Sequence, residues 1–423
     1  MTKPAGLDKV SRRRFIGRAA CLAAAAFAAG PAFAQSAIED IIKSPRRGSW
    51  DDQFDAQSSR SVAQTATRHP IASADTIAFV ERAIFAHQDL IARGGWPMVP
   101  ATKKLRMGVS DPDVRMLRQR LIASGDLDPS AGLSNEFDSY VDGAVKKFQA
   151  RHGLPPDGVL GSYSYQALNV SAEVRLGQLE TNLVRLRSMS GFLGDRYVMV
   201  NIPAAQIEAV ENGSVVLRHT AIVGKIDRQT PILNSQIHEI ILNPYWTSPR
   251  SIIEKDIVPL MRKDPTYLAR NNIRLFDGQG NEIQPEMVDW NAEKAPDLMF
   301  RQDPGKGNAM SSTKINFNNP HAVYMHDTPQ QGVFNQLMRF ESSGCVRVQN
   351  VRDLNTWLLR DTPGWDRQSM EATIASRENT VIELTTPVPV YFTYFTAWAS
   401  QDGVVQFRDD VYQRDGVDEL ALR

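Results

Sequence analysis

The chain has 423 residues, more than a single domain usually holds, so two or three domains are expected. Hydrophobic residues make up 42% of it and charged residues 23%, an ordinary globular balance that excludes a disordered or membrane-embedded protein as the first interpretation. Lysine and arginine number 48, as do aspartate and glutamate, and this balance excludes wholesale nucleic-acid binding.

Basic residues followed by an apolar run open the chain. The string Ser-Arg-Arg-Arg-Phe-Ile at 11–16 resembles a twin-arginine export signal, and small apolar residues fill most of 19–29. An A-x-A cleavage pattern at 32–34 completes a signal peptide over 1–34, whose apolar run is too short for a lasting membrane anchor. The sequence therefore predicts export to the periplasm, with cleavage near Ala34.

Export limits what the two cysteines can do. Cys21 leaves with the signal peptide, so Cys345 is the single cysteine of the mature chain. The mature chain then has no internal disulfide and no multi-cysteine metal site. A lone thiol in an oxidising compartment is a liability unless it is buried or useful, so the neighbours of Cys345 decide its interpretation.

The first part of the mature chain has helical patterns. Residues 35–104 read as scaffold, with one helix that Ser73 caps, and residues 105–170 read as a three-helix unit that opens at Asp111. The string AVKKFQARHGLPPDGVLG at 144–161 resembles the small peptidoglycan-binding domain. That resemblance implies wall binding, and a spacer that no longer binds glycan remains the alternative.

From about residue 197 the hydrophobic pattern changes to period two, which predicts a β-rich domain over 195–415. Asn212-Gly213 predicts a hairpin turn, and Asn350 is placed to cap a helix over 351–360. Between 248 and 303 the strand rhythm is lost and helical stretches appear. An insertion of that length in a β-domain is usually a lid or a binding element.

The chemistry lies in two segments of this domain. His326 ends an apolar strand, and Cys345 follows it by 19 residues, after Ser343 and Gly344. An imidazole can accept the thiol proton and give the reactive thiolate. A sharp turn at Gly344 would aim the amides of Gly344 and Cys345 at the attacked carbonyl oxygen. Asp327 would point to the opposite strand face, so a backbone carbonyl near Ser343 is the predicted partner that orients His326.

Residues 323–329 and 342–348 together resemble the signature of the L,D-transpeptidases, and specifically of the large Gram-negative type with a peptidoglycan-binding module and a capping subdomain. The supporting segments are 202–205, 222–225, 230–231, 243–246, 301–305 and 308–309. The resemblance implies a multidomain α+β fold. It consists of a β-rich catalytic domain, a helical capping insertion over 248–303 and the small three-helix domain.

The resemblance also implies residue roles. Cys345 would be the nucleophile, His326 the general base, Gly344 and Cys345 the oxyanion-hole amides, and Ser343 the backbone group that orients His326. The residues implied to contact substrate are Arg347, Tyr324, Trp246 and Ser342. Many smaller relatives have histidine where this chain has Ser343. An anchoring role in the loop for Arg347, and a core role for Trp246 and Tyr324, stay open.

The implied reaction is a two-step acyl transfer. The thiolate attacks the third residue of a tetrapeptide stem, the terminal D-alanine leaves, and a side-chain amine of a second stem resolves the thioester into a 3→3 cross-link. The implied partners are peptidoglycan stems, a tetrapeptide as donor and a diamino acid as acceptor. No metal or other cofactor and no nucleic acid is expected, and a carbapenem is expected to acylate Cys345.

Other functions compete with this interpretation. A zinc peptidase needs clustered ligands, and no H-E-x-x-H occurs, since no histidine follows His238-Glu239 at the required spacing. A catalytically silent wall-binding protein would have no use for both Cys345 and His326. L,D-carboxypeptidase activity and attachment of proteins to the wall would use the same nucleophile, so the sequence does not separate them.

Overall fold

The computed structural model describes residues 67–189, 191 and 193–416. The predicted signal peptide over 1–34 and the first part of the 35–104 segment lie outside these residues. In chain order the helices are α1 (Ala74–Ala92), α2 (Pro112–Ala123), α3 (Ser139–Arg151), α4 (Ser162–Leu168), α5 (Ala172–Ser188), α6 (Arg250–Ile252), α7 (Val258–Lys263), α8 (Tyr267–Arg270), α9 (Val351–Leu359) and α10 (Arg367–Ser376).

The helix starts predicted in the first part of the chain are confirmed. Ser73 caps α1 in a reciprocal pair with Thr76, and the Asp111 side chain accepts a hydrogen bond from the amide of Asp113 at the start of α2. Helices α2, α3 and α4 enclose a core of their own that includes Leu117 and Phe148. The region predicted as a three-helix unit therefore has the expected helices and its own core.

This module packs against the end of the chain. Arg151 forms a two-pronged ion pair with Asp126, at 2.7 and 2.6 Å, and also donates to the carbonyl of Val405 at 3.3 Å. The ring of His152 stacks on Phe407 with centroids 5.6 Å apart. These contacts join the module to the hairpin near the C-terminal end of the β-rich domain, which holds Val405 and Phe407.

The strands form one large sheet and two small ones. They are β1 (Arg196–Asn201), β2 (Gln206–Glu211), β3 (Ser214–Gly224), β4 (Leu233–Leu242), β5 (Trp246–Thr247), β6 (Ile273–Phe276), β7 (Glu282–Ile283), β8 (Met299–Gln302), β9 (Thr313–Phe317), β10 (Met325–His326), β11 (Phe340–Ser342), β12 (Val346–Val348), β13 (Thr380–Thr393), β14 (Ala397–Ala399) and β15 (Val405–Phe407). The large sheet has the order β11-β3-β12-β10-β9-β4-β13-β1-β2. A further pairing of β2 with β3 closes eight of these strands into a ring.

The core of the β-rich domain lies on the inner face of this ring. Val198, Ile240, Met325 and Val346 all belong to it and are fully buried, and α9 packs its apolar side against it through Leu354. The hairpin between β2 and β3 turns at 212–213, where both residues have positive φ as that tight turn requires. The helix over 351–359 is present, but Asn350 makes no side-chain capping bond.

The insertion over 248–303 is less helical than predicted. It holds α6, a π-helical turn (Ile253–Ile257), α7 and α8, together with three strands of a small sheet in the order β5-β8-β6-β7, whose first strand β5 lies directly before residue 248. These strands are two to four residues long, too short for period-two alternation to show in the sequence. The insertion has its own core, which includes Trp246 and Phe300. In the part of the chain that the structure describes, no helix combines the length and apolarity needed to cross a membrane.

Candidate active site

Strand register brings the predicted catalytic residues to one face of the sheet. β10 and β12 are parallel neighbours that pair Met325 with Val346 and His326 with Arg347. Met325 and Val346 point into the core. Because side chains alternate along a strand, the residues on either side of them point outward. Outside the ring they form a row of four side chains: Tyr324, His326, Cys345 and Arg347.

Tyr324 is the closest polar neighbour of the thiol. Burial raises the pKa of the Cys345 thiol, and hydrogen bonds from the backbone and side chain of Tyr324 oppose that rise. The Tyr324 hydroxyl also interacts with the side chain of Trp246, whose indole can only donate. Trp246 and Cys345 thus both act on the Tyr324 hydroxyl. Tyr324 packs against the insertion core, so the insertion covers the catalytic face.

His326 is held as a neutral base. Its Nδ1 lies 2.5 Å from the carbonyl oxygen of Asp327, so Nδ1 carries the proton and Nε2 is left with a lone pair. Burial lowers the pKa of His326 to about 3, and the positive charges of Arg347 and Lys314 contribute. At neutral pH the ring is therefore uncharged and able to accept a proton.

The prediction that Ser343 orients His326 is wrong. The orienting group is a backbone carbonyl, as expected, but it belongs to Asp327, the residue that follows the histidine. The carboxylate of Asp327 turns away and accepts from the Ser312 hydroxyl at 2.6 Å. The Ser343 hydroxyl instead accepts from Arg228 at 3.1 Å. The carbonyl of Asp327, adjacent in the chain to His326, reaches the imidazole, whereas Ser343 lies on a different loop. The spacing of the residues in the sequence did not reveal this difference.

The turn before the cysteine depends on glycine. Gly344 has φ 113°, a conformation that residues with a side chain rarely adopt. Its carbonyl accepts from the buried Thr230 hydroxyl at 2.8 Å, and the Ser342 hydroxyl donates to the carbonyl of Cys345 at 2.5 Å. Ser342 is thus a bond partner within the turn, 3% exposed, and its predicted contact with substrate stays untested.

The predicted oxyanion hole is only partly available in this geometry. The amide of Gly344 donates to the Ser342 hydroxyl at 3.1 Å and is therefore occupied. Within the described residues the amide of Cys345 donates no hydrogen bond. The amide of Cys345 thus remains the candidate donor to an oxyanion, while that of Gly344 would first have to leave Ser342.

Arg347 and Trp246 are both buried. Arg347 is 2% exposed and faces His326 across the strand pair, so its charge acts on the imidazole. Trp246 is 5% exposed within the insertion core and also reaches the Tyr324 hydroxyl. The two alternatives for Trp246 therefore coexist: it is a core residue and a part of the site.

Two residues at the site were not predicted. Lys314 in β9 pairs with His326, and its Nζ lies 4.5 Å from the centroid of the Tyr324 ring. Arg228 bonds Ser343 of the catalytic turn and forms an ion pair with Asp256 of the insertion, one N–H···O contact measuring 3.0 Å. Neither position has a local sequence signal, because their partners lie on elements distant in the chain.

Cys345 and His326 share a face without being bonded to each other. Among the described residues no hydrogen bond joins the Cys345 sulfur to the imidazole. Catalytic hydrogen bonds are often long in a ligand-free site and tighten when substrate binds. With a protonated thiol and a neutral imidazole, the site suits general-base activation of the sulfur during attack on a carbonyl.

Removal of the Tyr324 hydroxyl should raise the pKa of the Cys345 thiol further. A hydrogen bond to the thiolate stabilises it, so Tyr324→Phe should slow iodoacetamide alkylation about tenfold at pH 8. The two rates should converge at a pH above both thiol pKa values. Alkylation followed by mass measurement from pH 6 to 10 checks this. Tyr245→Phe, at an exposed tyrosine, is the matched control, and equal rates for both variants would contradict the role of Tyr324.

Two parts of the chain match models of known protein families. Residues 195–388 match the family model described as "L,D-transpeptidase catalytic domain". This part of the chain is similar to the catalytic domains of the L,D-transpeptidases. Residues 110–168 match a model described as "Putative peptidoglycan binding domain", and they lie within the 105–170 module.

A curated relative of this chain comes from Haemophilus influenzae and is named "Putative L,D-transpeptidase". It is 34% identical over 246 residues, which are 58% of this chain and 49% of the relative. The chain therefore spans about half the length of the curated relative that it matches.

Solved structures of L,D-transpeptidases are more distant. One from Xylanimonas cellulosilytica is 15% identical, with 70% of this chain and 99% of that chain covered and a TM-score of 0.23. One from Stackebrandtia nassauensis is 13% identical, with 70% and 96% covered and a TM-score of 0.26. Scores this low leave the family assignment to the sequence matches. In the described ranges no group of three or more His, Cys, Asp or Glu residues is placed to hold a metal ion.

Proposed function

We propose that this chain is an exported cysteine L,D-transpeptidase that cross-links peptidoglycan stem peptides. The observation that carries the proposal is the row of Cys345, Tyr324 and His326 on one sheet face, within a domain of the L,D-transpeptidase family. The N-terminal sequence pattern supports action in the periplasm, and the match of residues 110–168 supports binding of the module to peptidoglycan.

In the proposed first step the Cys345 sulfur attacks the carbonyl of the third residue of a tetrapeptide stem. Nε2 of His326 takes the thiol proton as the S–C bond forms, because neither group is charged beforehand. The amide of Cys345, which donates no hydrogen bond within the described residues, would donate to the resulting oxyanion. The C–N bond then breaks, the imidazolium returns the proton to the leaving amine, and D-alanine departs from a thioester.

In the second step an amine attacks the thioester. The side-chain amine of a diamino acid in another stem would give a 3→3 cross-link and restore the thiol. Water in place of the amine would give L,D-carboxypeptidase activity. A carbapenem, whose strained lactam carbonyl resembles an acyl donor, would acylate Cys345 by the same attack.

Intact-protein mass spectrometry of the chain from residue 35 tests the proposal. Incubation with a tetrapeptide stem should release D-alanine and give a single adduct on Cys345, and a carbapenem should give one adduct as well. A second stem added as acceptor should convert the thioester to a cross-linked dimer. If folded protein with a reduced thiol forms no adduct with either compound, the chain is better described as a catalytically silent wall-binding protein.

A further inference from the structure

Lys314 is a cation on the catalytic face that the proposed mechanism does not use. It lies opposite His326 in the β9–β10 pair, and its neighbour Ile315 points into the core, so Lys314 points to the side of the catalytic row. Its Nζ lies over the ring of Tyr324, at 4.5 Å from the centroid. The Tyr324 hydroxyl and Lys314 both act on Cys345, so the ammonium and the sulfur lie on the same side of the sheet near Tyr324.

The ammonium has no acidic partner in the resting site. No carboxylate of the described residues lies within 4.0 Å of Lys314 Nζ, and the acid that acts on it, Glu239, has an oxygen bonded to Asn316. Burial lowers the pKa of Lys314, with Cys345 and Glu239 opposing the shift. A partly desolvated cation without a counter-charge is costly unless a ligand supplies the charge. Such unpaired cations in clefts are typical of binding sites.

The proposed donor carries a carboxylate at a suitable distance. In a tetrapeptide stem the terminal D-alanine follows the attacked carbonyl directly, and consecutive α-carbons lie about 3.8 Å apart. Its carboxylate therefore lies within one residue of the sulfur when Cys345 attacks. Lys314, whose ammonium lies over the Tyr324 ring and whose charge acts on Cys345, is near enough to be considered for it.

We propose that Lys314 binds the terminal carboxylate of the acyl-donor peptide and thereby selects stems that end at the fourth residue. The proposal rests on the proposed transpeptidase function and adds the residue that distinguishes a donor of four residues from a longer one. A stem with a fifth residue would place an uncharged amide at Lys314, where the tetrapeptide places a carboxylate. The ammonium would then stay unpaired, which disfavours the longer donor.

Arg347 is the other cation of the row, and its position suits this task less well. It is 2% exposed and lies on the opposite side of His326 from Lys314, in the strand that begins directly after Cys345. Lys314 is only half-buried, so it is the more accessible of the two cations. A flexible lysine also tolerates a carboxylate that leaves with the product.

The test compares three donors: the tetrapeptide, its C-terminal amide and the pentapeptide. The measurement is kcat/KM for acylation of Cys345, followed by mass spectrometry, in the unaltered protein and in Lys314→Met, Lys314→Arg and Lys306→Met. The unaltered protein should prefer the free acid over the amide by roughly 10- to 100-fold, the range for a charged hydrogen bond. Lys314→Met should reduce this preference to about 1, Lys314→Arg should keep most of it, and Lys306→Met, at an exposed lysine outside the row, should keep all of it.

The decisive readout is the ratio of kcat/KM for the tetrapeptide to kcat/KM for its C-terminal amide. Loss of the Lys314 charge near the thiol would slow acylation by both of these donors alike and leave the ratio unchanged unless Lys314 binds the carboxylate. A preference for the free acid that persists in Lys314→Met overturns the proposal. Arg347→Lys is measured as a further variant, and loss of the preference in that variant alone would assign the carboxylate to Arg347. Equal rates with acid and amide in the unaltered protein overturn it as well. Absence of a thioester from all three donors would overturn the transpeptidase function itself, and this inference with it.

Discussion

Cys345→Ala should abolish covalent adducts with both the tetrapeptide and a carbapenem. The substitution removes the only thiol beyond the predicted signal peptide, so acylation should fall by at least about 10⁴-fold. The side chain is partly exposed and small, and the Cys345 contacts that hold the turn are made by its backbone carbonyl. The fold should therefore survive, with a thermal unfolding midpoint within a few degrees of the unaltered protein.

Intact-mass measurement after overnight incubation checks this result, with circular dichroism to show that the variant is folded. Cys345→Ser is the second variant, because its hydroxyl keeps a hydrogen-bonding group beside Tyr324 but is a much weaker nucleophile. An adduct that persists on folded Cys345→Ala would remove Cys345 as the nucleophile. Loss of folding in both variants would assign Cys345 a structural role.

His326→Gln should slow acylation of Cys345 by about 10²- to 10⁴-fold, the usual contribution of a general base. Glutamine can keep a donor near the carbonyl of Asp327 but cannot take the thiol proton. Because the pKa of His326 is lowered to about 3, the unaltered protein should show no loss of acylation from titration of this group between pH 5 and 8. Single-turnover acylation across that range checks both expectations.

The same shift has a consequence for stability. In the unfolded chain a histidine takes up a proton below about pH 6.5, whereas folded His326 stays neutral down to about pH 3. Because only the unfolded chain takes up this proton in that window, the free energy of unfolding falls as the pH falls from about 6.5 to about 3. His326→Gln should lose less of its free energy of unfolding than the unaltered protein between pH 7 and 4. His321→Gln, at an exposed histidine in the preceding loop, is the matched control, and equal acid sensitivity of the two variants would contradict burial of a neutral imidazole.

Local sequence signals were sufficient where neighbours in the chain decide the structure. The cap at Ser73, the turn at 212–213 and the period-two strands of the large sheet all depend on residues within a few positions, and all are present. The small sheet of the insertion was not predicted, since strands of two to four residues give no periodicity.

The partners of the catalytic residues were harder to predict, because they depend on distances that the sequence does not contain. Ser343 was chosen to orient His326 from its closeness to Cys345, yet the carbonyl of Asp327 is nearer to the ring. The amide of Gly344 was assigned to the oxyanion, yet the Ser342 hydroxyl occupies it. Both points concern which of several polar groups in or beside a tight turn reaches a given atom, and the oxyanion role of the Gly344 amide stays a prediction.

The sequence by itself determined the kind of chemistry: a lone cysteine after a glycine, a histidine 19 residues before it, and the segments that resemble the L,D-transpeptidases. Only the tertiary structure decided which side chains share the catalytic face, because parallel pairing of β10 with β12 sets the register of Tyr324, His326, Cys345 and Arg347. It also decided the charge at the site. Lys314 comes from a third strand, and its effect on the thiol and on the imidazole exists only because β9 pairs with β10.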